Sequence, residues 1–206
     1  MSKAELLYAT NNPGKVTEVR TFLGESDIRL LTPKDLEREI EVEETGRTLE
    51  ENALLKAWAY HRIAPEGSIV MGDDTGLEIE ALGGEPGVHV RRWRDGKTRM
   101  TDAEVKEYTL ERMKDVPPGK RGAQFRTVMA LVFPDKGVIH LDGVLRGEIA
   151  EEPVDMDIEG FPFRGLFFVP EAGRYLGELE DLPEGQFLTH RQKAAQKVID
   201  YLSHVS

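Results

Sequence analysis

A chain of 206 residues with a formal net charge of −11 and no cysteine suits one domain, with room for two lobes and a sizeable core. The missing cysteines exclude disulfides, thiolate catalysis and cysteine-based zinc sites. The acidic balance repels a nucleic-acid backbone but leaves room for a small phosphorylated ligand in a local basic pocket.

No apolar run approaches the roughly 20 residues of a membrane span. The short apolar stretch from Ala4 to Ala9 is interrupted by Glu5 and does not read as a secretory signal. A cytoplasmic protein is expected, with no membrane and no nucleic-acid partner.

Glu5 to Thr10, centred on Leu6, Leu7 and Tyr8, predicts a strand. Lys15 to Leu23 predicts a helix, because Val16, Val19, Phe22 and Leu23 share a face and Gly24 offers a stop. Ile28 to Leu31 predicts a second strand and completes a β-α-β start. From Thr48 to about Ile63 a stronger helix is expected. Thr48 and Glu51 form a capping-box pattern, and Leu49, Ala53, Ala57 and Tyr60 line one face.

The buried run "SIVM" then leads into "GDDTG". Thr101 and Glu104 open another capping-box helix, reaching about Met113. "DVPPGKRG" is a loop by its prolines and glycines. "AQFRTVMALVFP" and "GVIHLDGVLRGEIA" predict two long strands joined by a tight "PDKG" turn. "RGLFFVP" predicts a short buried strand, and a last helix runs from His190 to about Leu202. Early alternation followed by a late hairpin points to a mixed sheet with flanking helices.

Four stretches carry candidate chemistry. In "ATNNPGK" a strand turns into a helix, where unpaired backbone N–H groups and the helix dipole favour an anion. Thr10, Asn11 and Asn12 surround this junction, and Lys15 adds a charge one turn on. The spaced first glycine of a Walker A loop is absent. An ordinary Pro-Gly turn with a solvated lysine is the alternative.

"EVEETGRTLEENALLKA" holds five glutamates. Such a run commonly makes a solvated face, but Glu43 and Glu44 also fit magnesium, which takes one or two carboxylates and completes its shell with water and phosphate. Asp73 and Asp74 follow a run that should be buried, where paired carboxylates need hydrogen bonds or a cation. If the strand continues through them, their side chains point to opposite faces; an exposed Asp-capped turn is the alternative. Thr189, His190 and Arg191 open the last helix. There a cationic pair opposes the dipole and so suggests another use, although a solvent-facing pair is also consistent.

Together these stretches resemble the inosine triphosphate pyrophosphatase family, in order and over nearly the whole chain. "ATNNPGK", "EETGRTLEENALLKA", "DDTGLEIEALGGEPGV", "MKDVP" and "THRQKA" carry the resemblance. It implies an α/β fold in which a long, twisted, mixed sheet with flanking helices forms two lobes around a central cleft. It further implies a homodimer, Mg2+ dependence, and hydrolysis of non-standard purine nucleoside triphosphates to the monophosphate and pyrophosphate.

Carried over by position, Thr10, Asn12 and Lys15 belong to the phosphate loop and Lys56 is a second phosphate contact. Glu43 and Asp74 ligate magnesium, with Glu44 the alternative to Glu43. Asp74 is also the base for the attacking water, with Asp73 the alternative. Thr75 stands where the family has serine. His190 and Arg191 sit beside the purine.

The base-binding loop departs from the family pattern. In "GFPFRG", Phe161 is retained as a stacking ring and Phe163 keeps an aromatic, but Pro162, Arg164 and Gly165 replace glycine, aspartate and proline. The family's lysine five residues before the His-Arg pair is replaced by Gly185. Arg164 is expected to restore that charge from another backbone position. Three functions follow: an enzyme for ITP, dITP and XTP, the same chemistry on another nucleotide, or a nucleotide-binding protein with little turnover.

Overall fold

A computed structural model describes residues 4–24, 26–156, 159–179, 182 and 186–205. Gly185, one of the two departures noted above, lies outside them.

In the chain's first part, strand β1 (Ala4–Tyr8) leads to helix α1 (Pro13–Leu23) and strand β2 (Ile28–Leu31). Helix α2 (Leu49–His61) leads to strand β3 (Ile69–Ile79). The α1 helix starts two residues earlier than expected. Proline suits the first helical position, and Asn12 caps it by accepting from the N–H groups of Gly14 and Lys15. In α2 the Thr48 hydroxyl accepts from Glu51 N–H, but the Glu51 carboxylate accepts from Arg47 N–H rather than closing the expected box.

After β3 come β4 (Pro86–Gly87), α3 (Asp102–Met113), β5 (Gly122–Val132), β6 (Val138–Ile149), β7 (Phe167–Val169), β8 (Arg174–Tyr175), α4 (Leu176–Leu179) and α5 (His190–Val205). The capping box at Thr101 and Glu104 is complete. The short elements β4, β8 and α4 escaped the sequence reading, because two to four residues leave no periodicity.

The eight strands form one mixed sheet in the order β2-β1-β3-β5-β6-β7-β8, with β4 beside β3. Strands β2 and β3 both run parallel to β1, whereas β7 is antiparallel to β6 and β8. This is the expected fold class.

The chain divides into two compact units. The first takes the chain as far as Thr75, Thr127–Val144 and the stretch from His190 onward. Its core follows the two-residue period of the strands. Leu6, Tyr8 and Met71 pack with Val19 and Leu23 of α1 and with Ala194, Val198 and Leu202 of α5. Leu7, Ala9 and Val70 pack with Ala57 and Tyr60 of α2. Helices α1 and α5 thus cover one face of the sheet and α2 the other.

Two glycines permit this fit. A Cβ at Gly72 would lie 2.1 Å from the Ala53 carbonyl oxygen of α2, and one at Gly143 would lie 2.1 Å from that of His190 in α5.

The second unit comprises Gly76–Arg126 and Leu145–Thr189. Leu77, Ile79, Val105, Met113, Leu145, Ile149 and Phe167 are among the buried residues of its core. Arg121 is buried there without a carboxylate. Its guanidinium donates to the carbonyls of Met113, Val116, Ile149 and Ala150, tying the end of α3 to the end of β6.

An ammonium lacks that planar fork. Arg121→Lys is therefore expected to lower stability by about 2 kcal/mol, measured by urea unfolding. An unchanged midpoint would show the carbonyl cage to be dispensable.

Candidate active site

The chain runs from β1 through α1 to β2 on one side and then from β2 through α2 to β3 on the other side of β1, with α1 and α2 on opposite faces of the sheet. In an open α/β sheet such a switch point, beside the carboxyl ends of the strands, is the usual place for a ligand. The loop after β1 and the middle of β3 meet here.

The loop is braced by its own side chains. Thr10 Oγ1 accepts from Asn12 N–H at 3.3 Å, and Asn12 Oδ1 accepts from Gly14 N–H at 2.9 Å and Lys15 N–H at 3.3 Å. Asn11 donates to the Ile40 carbonyl and accepts from the Tyr60 hydroxyl. The expectation of unpaired N–H groups at this helix start is therefore corrected: Pro13 has none, and Asn12 occupies the next two. The charge on offer is the Lys15 ammonium.

Strand β3 continues through both aspartates to Ile79, so they do point to opposite faces. Asp73 shares its face with Met71, toward α1 and α5. It is wholly buried and takes the Lys15 ammonium at 2.9 Å and Arg191 Nε at 3.4 Å. Burial opposes its charge, but Lys15, Arg191 and Lys56 outweigh burial and hold the carboxyl far below the usual range.

Asp74 shares its face with Val70, toward α2. Its Oδ1 accepts from Lys56 Nζ at 3.1 Å and its Oδ2 from Asn52 Nδ2 at 3.0 Å. Burial, aided by the Glu44 charge, raises the Asp74 pKa despite Lys56 and Lys15. Adjacent carboxylates are thus driven apart. Asp73 is fixed as an anion, and Asp74 is the better proton acceptor.

The lysines differ in the same way. Burial lowers the pKa of Lys15. Burial also opposes the charge of Lys56, but Asp74, Glu44 and Asp73 prevail and raise its pKa.

Lys56 also meets Glu44 Oε2 at 3.0 Å. Two carboxylates from separate segments therefore converge on one cation. Among the described residues no group of three or more histidines, aspartates or glutamates gathers. A two-carboxylate donor set fits Mg2+, whose other ligands are water and phosphate oxygens. Glu44 is the member of the expected pair that the structure brings to Asp74. Both glutamates are exposed, and among the described residues no hydrogen bond or ion pair joins Glu43 to that group.

Arg191 is almost fully buried and spends all three nitrogens on protein groups: Nε on Asp73, Nη1 on Glu18 and Nη2 on Thr75 Oγ1. Thr75 shares a 2.7 Å hydrogen bond with the Thr127 hydroxyl. Arg191 and Thr75 thus support Asp73. The expectation of a cationic His-Arg pair is also corrected. Burial, helped by the Arg191 charge, pushes the His190 pKa down to about 3, so His190 is neutral at the start of α5.

This has a consequence for stability. Between about 3 and the usual 6.5 the unfolded chain binds a proton on this histidine that the folded chain does not. Its contribution is therefore intact above pH 6.5 and falls as the pH drops toward 3, by up to roughly 1.4 kcal/mol per unit. Denaturant titrations of His190→Gln should show a shallower acid decline than the parent; equal slopes would contradict it.

The three base-loop candidates belong to the second unit. Phe163 is a core residue whose ring meets Phe125 edge-on at 5.6 Å. Arg164 is buried and donates to the Gly177 carbonyl at 3.2 Å, while Phe161 is half-buried. The proline and glycine around Arg164 give an inward-turned segment, with Gly165 set against the Val154 carbonyl, 2.0 Å from where a Cβ would stand.

Sequence reasoning missed Asn52, Glu18, Tyr60 and Tyr8. Asn52 sits one turn before Lys56 and Glu18 sits three residues after Lys15, so helical spacing was the available signal. Tyr8 reads as an ordinary core residue. Its hydroxyl makes no hydrogen bond of ordinary geometry, and burial and the Asp73 charge raise its pKa well above the phenol range.

Fold and site define an open α/β protein with a charge cluster at its topological switch point. The model of the Ham1 family matches residues 6–201. A dITP/XTP pyrophosphatase of Caldanaerobacter subterraneus is 38% identical over 96% of this chain and 95% of its own. One from Thermus thermophilus is 40% identical over 95% and 90%. The solved structure of the Staphylococcus aureus Ham1 protein is similar at a TM-score of 0.79, with 30% identity over 98% of this chain and 100% of that one. The chain belongs to the Ham1 family.

Proposed function

We propose that the protein hydrolyses ITP, dITP and XTP to the nucleoside monophosphate and pyrophosphate with Mg2+, clearing non-standard purines from the nucleotide pool. The class rests on kinship: the curated relatives named above are dITP/XTP pyrophosphatases, and this chain is a nucleoside triphosphate pyrophosphohydrolase. The substrates, the metal and the residue roles are the proposal. Its carrying observation is the pair of lysine–aspartate contacts, Lys15 with Asp73 and Lys56 with Asp74, on opposite faces of one strand.

Lys15 and Lys56 face the polyphosphate oxygens and stabilise the charge that develops on departing pyrophosphate. Asp73, itself held by Arg191, holds Lys15 in place. Asp74 accepts the proton of the water that attacks the α-phosphorus. Asp74 and Glu44 would hold Mg2+, which would supply charge neutralisation at the phosphate oxygens when bound. Burial of Phe163 and Arg164 leaves Phe161 as the aromatic of that loop with surface to offer a purine.

Incubation with a panel of nucleoside triphosphates and Mg2+, following pyrophosphate against orthophosphate, tests the reading. Pyrophosphate from ITP, dITP and XTP alone supports it. Release from other bases shifts the substrate, which the altered base loop makes the second reading. Binding without release refutes turnover. A homodimer belongs to the same proposal, and sedimentation tests it. No helix among the described residues is long and apolar enough to cross a membrane.

A further inference from the structure

Asn52, Lys56 and Tyr60 stand four residues apart on α2 and so form one polar stripe along the helix. Each reaches a different point of the acidic segment before it. Asn52 Oδ1 accepts from Gly46 N–H at 2.8 Å, Lys56 pairs with Glu44 at 3.0 Å, and the Tyr60 hydroxyl accepts from Ile40 N–H at 2.8 Å. Residues 40–46 are thereby laid antiparallel along the helix.

Every member of the stripe also holds a second element of the site. Asn52 donates to Asp74, Lys56 donates to the Asp73 carbonyl and to Asp74, and the single Tyr60 hydroxyl proton is shared between Asn11 and the Ile40 carbonyl, each at 3.1 Å. Asn52 and Tyr60 are buried, at 3% and 1% exposure. Gly46 is fitted to the upper end. A Cβ there would lie 2.6 Å from Asn52 Oδ1 and 2.9 Å from Asn52 N.

We propose that Asn52 and Tyr60 are positioning residues that latch the segment 40–46 onto α2, and so deliver the Glu44 carboxylate to Asp74. The inference rests on the proposed function for its link to Mg2+, but not for the latch itself. A segment with no regular secondary structure needs its backbone groups paired to hold one position, and these two side chains do so at its two ends. Asn52 also occupies one oxygen of Asp74, leaving the other facing Lys56 and Glu44.

The test uses Asn52→Ala, Asn52→Asp and Tyr60→Phe in the full chain. Tyr60→Phe keeps the buried ring and removes only the hydroxyl. Asn52→Asp keeps an acceptor for Gly46 N–H but presents a carboxylate to Asp74. Amide hydrogen exchange is read first. Gly46 should exchange faster in Asn52→Ala but not in Asn52→Asp, and Ile40 faster in Tyr60→Phe. Equal exchange in parent and variants overturns the latch.

Pyrophosphate release is then read against Mg2+ concentration. Asn52→Ala and Tyr60→Phe should need more Mg2+ and lose about 10–100-fold in activity, with little change in nucleotide KM at saturating metal. Variants that only melt earlier, with the parent's Mg2+ dependence and kcat, reduce the stripe to a structural role and overturn the positioning claim. A parent chain that releases no pyrophosphate sinks the proposed function instead, and the exchange experiment still decides the latch.

Discussion

Asp74→Asn is expected to lower kcat by roughly 10³-fold while leaving a folded protein. The carboxylate is the proposed proton acceptor and takes one ammonium and one amide, whereas its neighbour Asp73 is held as a fixed anion by Lys15 and Arg191. An amide in its place can still accept from Lys56, but its NH2 then faces the NH2 of Asn52. That mismatch should cost on the order of 1 kcal/mol, a small shift on thermal melting. Pyrophosphate release from ITP near the parent rate would remove Asp74 from its role. Asp73→Asn should act differently, because it leaves Lys15 and Arg191 without their shared partner. Loss of stability as well as activity is expected there.

Gly72→Ala should be the most damaging of the small substitutions. The new Cβ would stand 2.1 Å from the Ala53 carbonyl oxygen and 2.7 Å from the Ala57 nitrogen. Both are backbone atoms of α2, so no rotamer change relieves the contact. The helix must retreat, at a cost of about 3 kcal/mol or more. Lys56 and Asn52 retreat with it, away from Asp74. Urea unfolding and pyrophosphate release should therefore fall together. A variant with the parent's midpoint and turnover would show that α2 is not seated on β3 as described.

Much of this was legible in the residues. The alternation of β1 and the faces of α1 and α2 were written in apolar spacing, and Asp73 and Asp74 stood out because carboxylates at the end of a buried run need partners. What the sequence obscured was three-dimensional pairing. Gly72 and the two acids hide the continuation of β3, because neither residue type favours a strand. Glu43 and Glu44 are equivalent on paper, and only the reach of Lys56 distinguishes them. His190 reads as a cation until its burial is known. The Asn12 carboxamide reads only as an anion donor until its oxygen is found capping its own helix, a cap that leaves its NH2 unspent. In the base loop, Phe163 and Arg164 carried the right chemistry for a ligand but are turned into the core of their own unit. Gly165, set against the Val154 carbonyl, permits that orientation.

The two acids owe their separate partners to counting along an extended strand. One residue inserted or deleted between Val70 and Asp73 would hand each acid to the wrong helix. A change of two would restore the faces but slide both acids about 6.6 Å along the strand, away from Lys15 and Lys56. The turn after Tyr8 is held as closely, because Asn11, Asn12 and Lys15 each meet a fixed partner. Length changes should therefore be tolerated in neither segment of this centre.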